Sequence, residues 1–212
     1  MLLNLERLDL LIAHYVAGSL PEPAHVLVGA HLEMQATALR FADTLDELAG
    51  AALRRSDPVA MSSRDLQLTT ILNSAPLPAA PRMDAEKRFP SSMQAYTGSS
   101  LADIPWKTKL PGFRQYVIEK VPDVEASLLW VRAGRALPHH GHRGLELTLV
   151  LEGEFHDHRG NFSRGDVSIA DEMLEHRPVA GKQGPCICFS VLFAPITLSG
   201  SRLRLVADIL GI

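Results

Sequence analysis

With 212 residues, 46% of them apolar and 21% charged, the chain is long enough for one or two compact units and lacks the composition of a disordered protein. A net charge of −3 with no cluster of Lys and Arg excludes a general nucleic-acid binder. Two cysteines, Cys186 and Cys188, are too few and too close for a disulfide framework and point to a reducing compartment.

The opening "MLLNLERLDLLIAHYV" carries Glu6, Arg7 and Asp9 where a signal peptide would be cleanly apolar, and no run approaches the roughly 18 apolar residues of a spanning helix. The expectation is a cytoplasmic protein with no membrane partner. Apolar residues at 5, 8, 11, 12, 15 and 16 have helical spacing, and "GSLPEP" closes that helix. A second helical stretch runs from Ala24 to Arg55, with a break near Thr37 or Gly50. A third, short helix covers Arg64 to Leu72. Residues 1–85 hold ten Asp or Glu against six Arg, a net of −4, which suits either a basic protein partner or a solvated helix face.

The stretch "NSAPLPAAPRMDAEKRFPSSMQAYTGSS" has four prolines and no periodicity, and reads as a linker over about 74–100. Beyond it the pattern turns to short extended runs, "RQYVIEKV", "ASLLWVRAG", "LELTLVLEG", "GEFHDH", "GDVSIA" and "CICFSVLFAP", punctuated by Pro, Gly and Asp as in a sandwich or closed barrel. The fold class is therefore α+β: a small helical bundle over 1–85, then a β-barrel over 86–212.

Strand parity places His140, His142 and Glu146 on one face, with His139 pointing away. Two imidazoles and a carboxylate on one barrel strand can reach a single divalent ion, with zinc, iron, manganese and nickel all compatible. His176 is placed to add a fourth ligand from a neighbouring strand. His156 and His158 flank a turn and read as surface residues. Cys186 and Cys188 share one face of an apolar strand and read as buried structural residues, with redox sensing the sharper alternative. Trp106 and Trp130 read as core or domain-interface residues.

The spacing of Gly134, His140, His142, Glu146 and Gly153 resembles the first cupin motif, and Gly165 to His176 resembles the second, with "ADEMLEH" where many cupins have a Pro-x-Gly turn. This resemblance implies a jelly-roll barrel with a metal on His140, His142, Glu146 and His176. The helical segment "LLIAHYVAGSLPE…HVLVGAHLEM" followed by "HGHRGLELTLVLEGEF" and "CICFSV" is similar, over nearly the whole chain, to the ChrR family of anti-sigma factors. That likeness implies a helical domain that sequesters an extracytoplasmic-function sigma factor, and a cupin domain, zinc-bound by family likeness, that releases it after oxidative signals such as singlet oxygen. The alternatives are a cupin metalloenzyme of the dioxygenase kind and a plain small-molecule-binding cupin.

One departure bears on cofactors. Family members with a zinc-binding helical domain carry His-x3-Cys-x2-Cys, whereas Gln35 and Ala38 follow His31 here. Neither can replace a thiolate, so no N-terminal zinc is expected. His14, His25 and His31 then read as ordinary helix residues.

Overall fold

The computed structural model describes residues 2–75 and 89–198, with side chains from residue 7 onward. Much of the expected linker and the last fourteen residues lie outside the described residues. Four helices come first: α1 Leu2–Val16, α2 Glu22–Met34, α3 Ala36–Arg54 and α4 Arg64–Leu72. Pro21 and Pro23 stand at the start of α2, where a fixed φ and a missing N–H cost nothing. The expected long second helix breaks at Gln35, which is extended (φ −127°, ψ 95°) between α2 and α3, two positions before the break expected near Thr37.

Ile12, Val28, Leu32 and Ala42 form a small core among α1, α2 and α3. The α4 helix differs: none of its residues is buried. A fifth helix, α5 Ser91–Thr97, lies inside the stretch read as linker, with Met93 fully buried. Pro90 and Gly98 bound it, so punctuation that suggested a linker instead caps a two-turn helix.

The barrel follows, as twelve strands among the described residues. The six-stranded sheet has the order β1 (Lys107–Leu110), β2 (Phe113–Val121), β3 (Val124–Val131), β11 (Cys186–Leu192), β5 (Glu146–Glu152), β8 (Val167–Ala170). Two three-stranded sheets complete the jelly roll: β10 (Val179–Ala180), β6 (Glu154–Asp157), β7 (Gly160–Ser163), and β12 (Ile196–Leu198), β4 (His140–His142), β9 (Glu175–His176). All pairings are antiparallel.

Six of the seven residues in both β5 and β11 are buried, because these strands are covered on both faces. Their outward side chains, Leu147, Leu149, Leu151, Phe189 and Val191, share one core with Ala24, Leu27 and Ala30 of α2 and Met93 of α5. Their inward side chains, Val150, Cys186 and Cys188, pack with Val131, Phe155 and Phe162 inside the barrel. Double coverage explains why "LTLVL" and "CICFSVL" read as continuous apolar runs rather than alternations. It also fastens the helices to the barrel: deleting a fully buried side chain such as Leu27 to Ala should cost about 2–5 kcal/mol.

Candidate metal centre

The register of the short sheet positions the site. β4 pairs with β9 so that His140 lies opposite His176, and His142 lies two residues on, on the same face of β4. Glu146 comes from β5, in the six-stranded sheet. The single-strand arrangement read from parity is thereby corrected: the chain bends at Arg143 and Gly144, and the carboxylate approaches from a different sheet. His140, His142, Glu146 and His176 are all buried, and one ligand atom from each falls within 4.8 Å of the others.

The atomic detail shows what this group can do. His176 Nε2 lies 3.1 Å from His140 Nε2 and 3.2 Å from His142 Nε2. Glu146 Oε2 is 3.5 Å from His142 Nε2 and 3.9 Å from His176 Nε2. Tetrahedral ligands about 2.0–2.1 Å from a zinc ion would stand about 3.4 Å apart, so the spacing suits an ion of that size.

Protons sit on the far side of the rings. His140 Nδ1 donates to the Pro138 carbonyl at 2.8 Å and His176 Nδ1 to Asp157 Oδ2 at 2.9 Å. Both partners can only accept, so each Nδ1 carries a proton, and each ring in its neutral form turns an Nε2 lone pair toward the centre. Lone pairs and a carboxylate converging in a buried space repel one another unless a cation lies between them, and the four residues fit a divalent metal on that ground. Burial also favours the neutral forms of His140 and His142: it pushes the pKa of His140 down to about 4 and lowers that of His142, in both cases against the pull of Glu146.

The supporting residues were not foreseen. Asp157 is fully buried at its side chain and held by Arg159, whose Nη2 lies 2.6 Å from Oδ2. Burial opposes the charge on Asp157, but the His176 N–H and the Arg159 guanidinium outweigh it and hold the carboxyl well below the usual range. Arg159 also donates to the Ile169 carbonyl and to Ser168 Oγ, both at 2.8 Å. Ser190 Oγ donates to Glu146 Oε1 at 3.0 Å and orients it. A signal existed: in "EFHDH", Asp157 shares parity with the buried Phe155, while His156 and His158 are exposed.

Cys186 and Cys188 are buried, with sulfurs 3.5 Å apart in a hollow that also touches His140, Glu146 and His176. The neighbouring Cys186 thiol and burial push the Cys188 thiol upward, which disfavours a reactive thiolate. Trp106 and Trp130 pack against the core beneath the helices, and Arg114 lies over the Trp130 ring.

The helical histidines do not assemble. His14 meets Ser19, His25 stacks on Tyr15, and His31 donates from Nδ1 to the Gly165 carbonyl at 2.7 Å. His31 is thus a contact between helix and barrel, not the ordinary helix residue the sequence suggested.

A jelly roll with three inward histidines and a glutamate, carrying helices on its outer sheet, defines a helix-bearing cupin. Residues 95–194 match the family description "ChrR Cupin-like domain". The chain is 38% identical over 199 residues to the Anti-sigma-E factor ChrR of Cereibacter sphaeroides, covering 93% of each chain. It is also similar to the crystal structure of Rhodobacter sphaeroides SigE in complex with the anti-sigma ChrR, with a TM-score of 0.74 and 37% identity over 87% of this chain and 96% of that one. The chain belongs to the ChrR family of anti-sigma factors.

Proposed function

We propose that this protein is an anti-sigma factor that sequesters an extracytoplasmic-function sigma factor through its helices and senses an oxidative signal, of the singlet-oxygen kind, through a metal-bound cupin barrel. The observation that carries this reading is α4. Leu66, Ile71 and Leu72 are 69%, 67% and 74% exposed, and Leu48 and Leu53 of α3 are 63% and 75% exposed. Isolated helices of nine residues are marginal in water, and among the described residues nothing covers any residue of this one to the point of burial. Such an apolar helix needs a partner surface. The related structure, a SigE–ChrR complex, supports a sigma factor as that partner.

In the barrel, His140, His142, Glu146 and His176 are the proposed ligands, and zinc is the proposed metal, with iron, manganese and nickel also matching the donors. A bound zinc with four protein ligands would tie three strands of two sheets together, the closed arrangement of structural sites. That favours a sensing or structural role over the dioxygenase alternative, which would need an open coordination position.

The test uses the full chain. Replacing Ile71 and Leu72 together by Asp should abolish retention of the co-expressed sigma factor in a pull-down, while melting temperature and metal content stay at wild-type values. Undiminished retention would overturn the assignment of α4.

A further inference from the structure

A cavity of about 450 Å³ opens inside the barrel and meets the histidine cluster on its His140 and Glu146 side. Its size falls within the roughly 300–1,000 Å³ of small-molecule sites. Strand register divides its wall. Ser127 of β3 and Thr148 of β5 both lie opposite Ser190 of β11, and Glu125 and Glu146 both lie opposite Leu192. Gln115 on β2 donates from Nε2 to Ser127 Oγ and Glu125 Oε1, both at 3.1 Å. The result is a polar band across four strands, made of two hydrogen-bonded pairs, Gln115 with Ser127 and Ser190 with Glu146, set side by side by the Ser127–Ser190 register. Ser127 and Ser190 are each 1% exposed. The rest of the wall is mainly apolar, built from Phe113, Leu129, Leu137, Leu192, Ile196 and Leu198.

Charge narrows the occupant. Among the lining residues the one Lys or Arg is Lys120, and the Glu125 carboxylate already engages it. Asp123 and Glu125 are the lining carboxylates outside the cluster, whereas Glu146 is committed to the proposed metal ion. An anionic head would meet carboxylates with no uncommitted ammonium or guanidinium among the described lining residues, whereas a hydroxyl or carbonyl can join a serine and amide band directly.

We propose that this cavity binds an uncharged amphipathic small molecule, with its aliphatic or aromatic body against Phe113, Leu129 and Leu137 and one hydroxyl or carbonyl head on Ser127 and Ser190. The proposal deepens the sensory role given to the barrel and rests on that reading for its biological use, though not for its chemistry. Such a molecule would lie against Glu146 and His140, so its arrival would be felt at the cluster that ties the two sheets together.

Isothermal titration of octanol and of octanoate into the full, metal-loaded chain, without a sigma factor, tests it. Saturable binding of one octanol per chain is expected, with octanoate at least tenfold weaker. Ser127→Ala should weaken octanol by roughly three- to tenfold, the worth of one neutral hydrogen bond. Leu137→Trp should fill the cavity and remove binding. Because a bulky residue there can disturb folding, Ile196→Trp at a 43% exposed position gives a second occluded variant. Melting temperature and metal content are recorded for both. No saturable octanol binding, or wild-type binding in both occluded variants with unchanged melting, would overturn the site. Octanoate binding as tightly as octanol would overturn the uncharged head. Since no partner is present, failure of sigma-factor retention in the α4 test and failure here are read separately.

Discussion

His31 on α2 and Gly165 in the turn between β7 and β8 are 134 positions apart, yet the imidazole Nδ1 donates to the Gly165 carbonyl across 2.7 Å. The backbone calls for glycine here: its φ of +92° is strained for any side chain, and a Cβ would also push aside the Gln35 amide, 2.6 Å away. Residues where a zinc motif would place its first ligands therefore fasten helix to barrel here. His31→Ala leaves a buried carbonyl unpaired, so a loss of about 1–3 kcal/mol is expected. The melting temperature should fall by several degrees, at about 2–4 °C per kcal/mol for a chain of this size. Hydrogen exchange in α2 should rise more than in β3 or β11.

Acid should loosen the same junction. Burial opposes the charge on Glu33, but the N–H groups of Ser92 and Ser91 and the Ser91 hydroxyl at the start of α5 outweigh it and lower its pKa. Arg7 on α1 likewise lowers Asp171, across 2.6 Å. A carboxylate with a depressed folded pKa contributes stability that is fully present above its unfolded value, near 4, and is lost as pH falls through the folded value. His31 acts in the same direction. Burial lowers its pKa, against the Gly165 carbonyl and Asp166, so the unfolded chain takes up a proton below about pH 6.5 before the folded chain does. Melting temperature is thus expected to decline from about pH 6.5 downward. Glu33→Gln should melt below wild type at pH 7 and converge with it under strong acid. A constant gap across that range would contradict the assignment.

Much of this architecture was legible in the chain. Helical spacing located α1 and α4, and the β5 and β11 runs stood out because strands covered on both faces are written in unbroken apolar residues. His140, His142 and Glu146 were legible from spacing and parity, and His176 from its place after the Gly165 turn. That Glu146 reaches them from another sheet was not, because the bend at Arg143 and Gly144 leaves no period to read. Asp157 and Ser190 are hidden for a similar reason: Ser190 acts through a neighbour on the paired strand β5 and Asp157 reaches His176 from a strand of another sheet, neither of which one strand encodes. The α5 helix was hidden by the Pro and Gly that cap it.

Asp157 gives the metal proposal a test that spares the ligands. Its carboxylate fixes the His176 tautomer and strengthens the ring as a donor, so Asp157→Asn should lower metal affinity by roughly ten- to a hundredfold. Competition with a chromophoric chelator measures this. His140→Ala combined with His142→Ala should leave no stoichiometric metal by elemental analysis. Unchanged metal content in the double variant would refute the assignment.

Removing the Glu146 carboxylate separates holding from sensing. Glu146 is the one anion among the four clustered residues, it accepts from Ser190, and it forms part of the cavity wall. Glu146→Ala should therefore cost metal affinity, by roughly tenfold or more as for loss of a ligand, and should slacken the link between β5 and the short sheet. The exposed α4 surface buries nothing in the barrel, so the variant should retain its sigma factor in a pull-down as wild type does. Its response should fail: a reporter driven by the sigma factor is expected to stay near its uninduced level under singlet oxygen. If the reporter were induced normally while metal was lost, the cluster would be structural and the sensor would lie elsewhere. If retention fell in parallel with metal, the two domains would not be separable as proposed, and the His31–Gly165 contact would be the first place to look for the coupling.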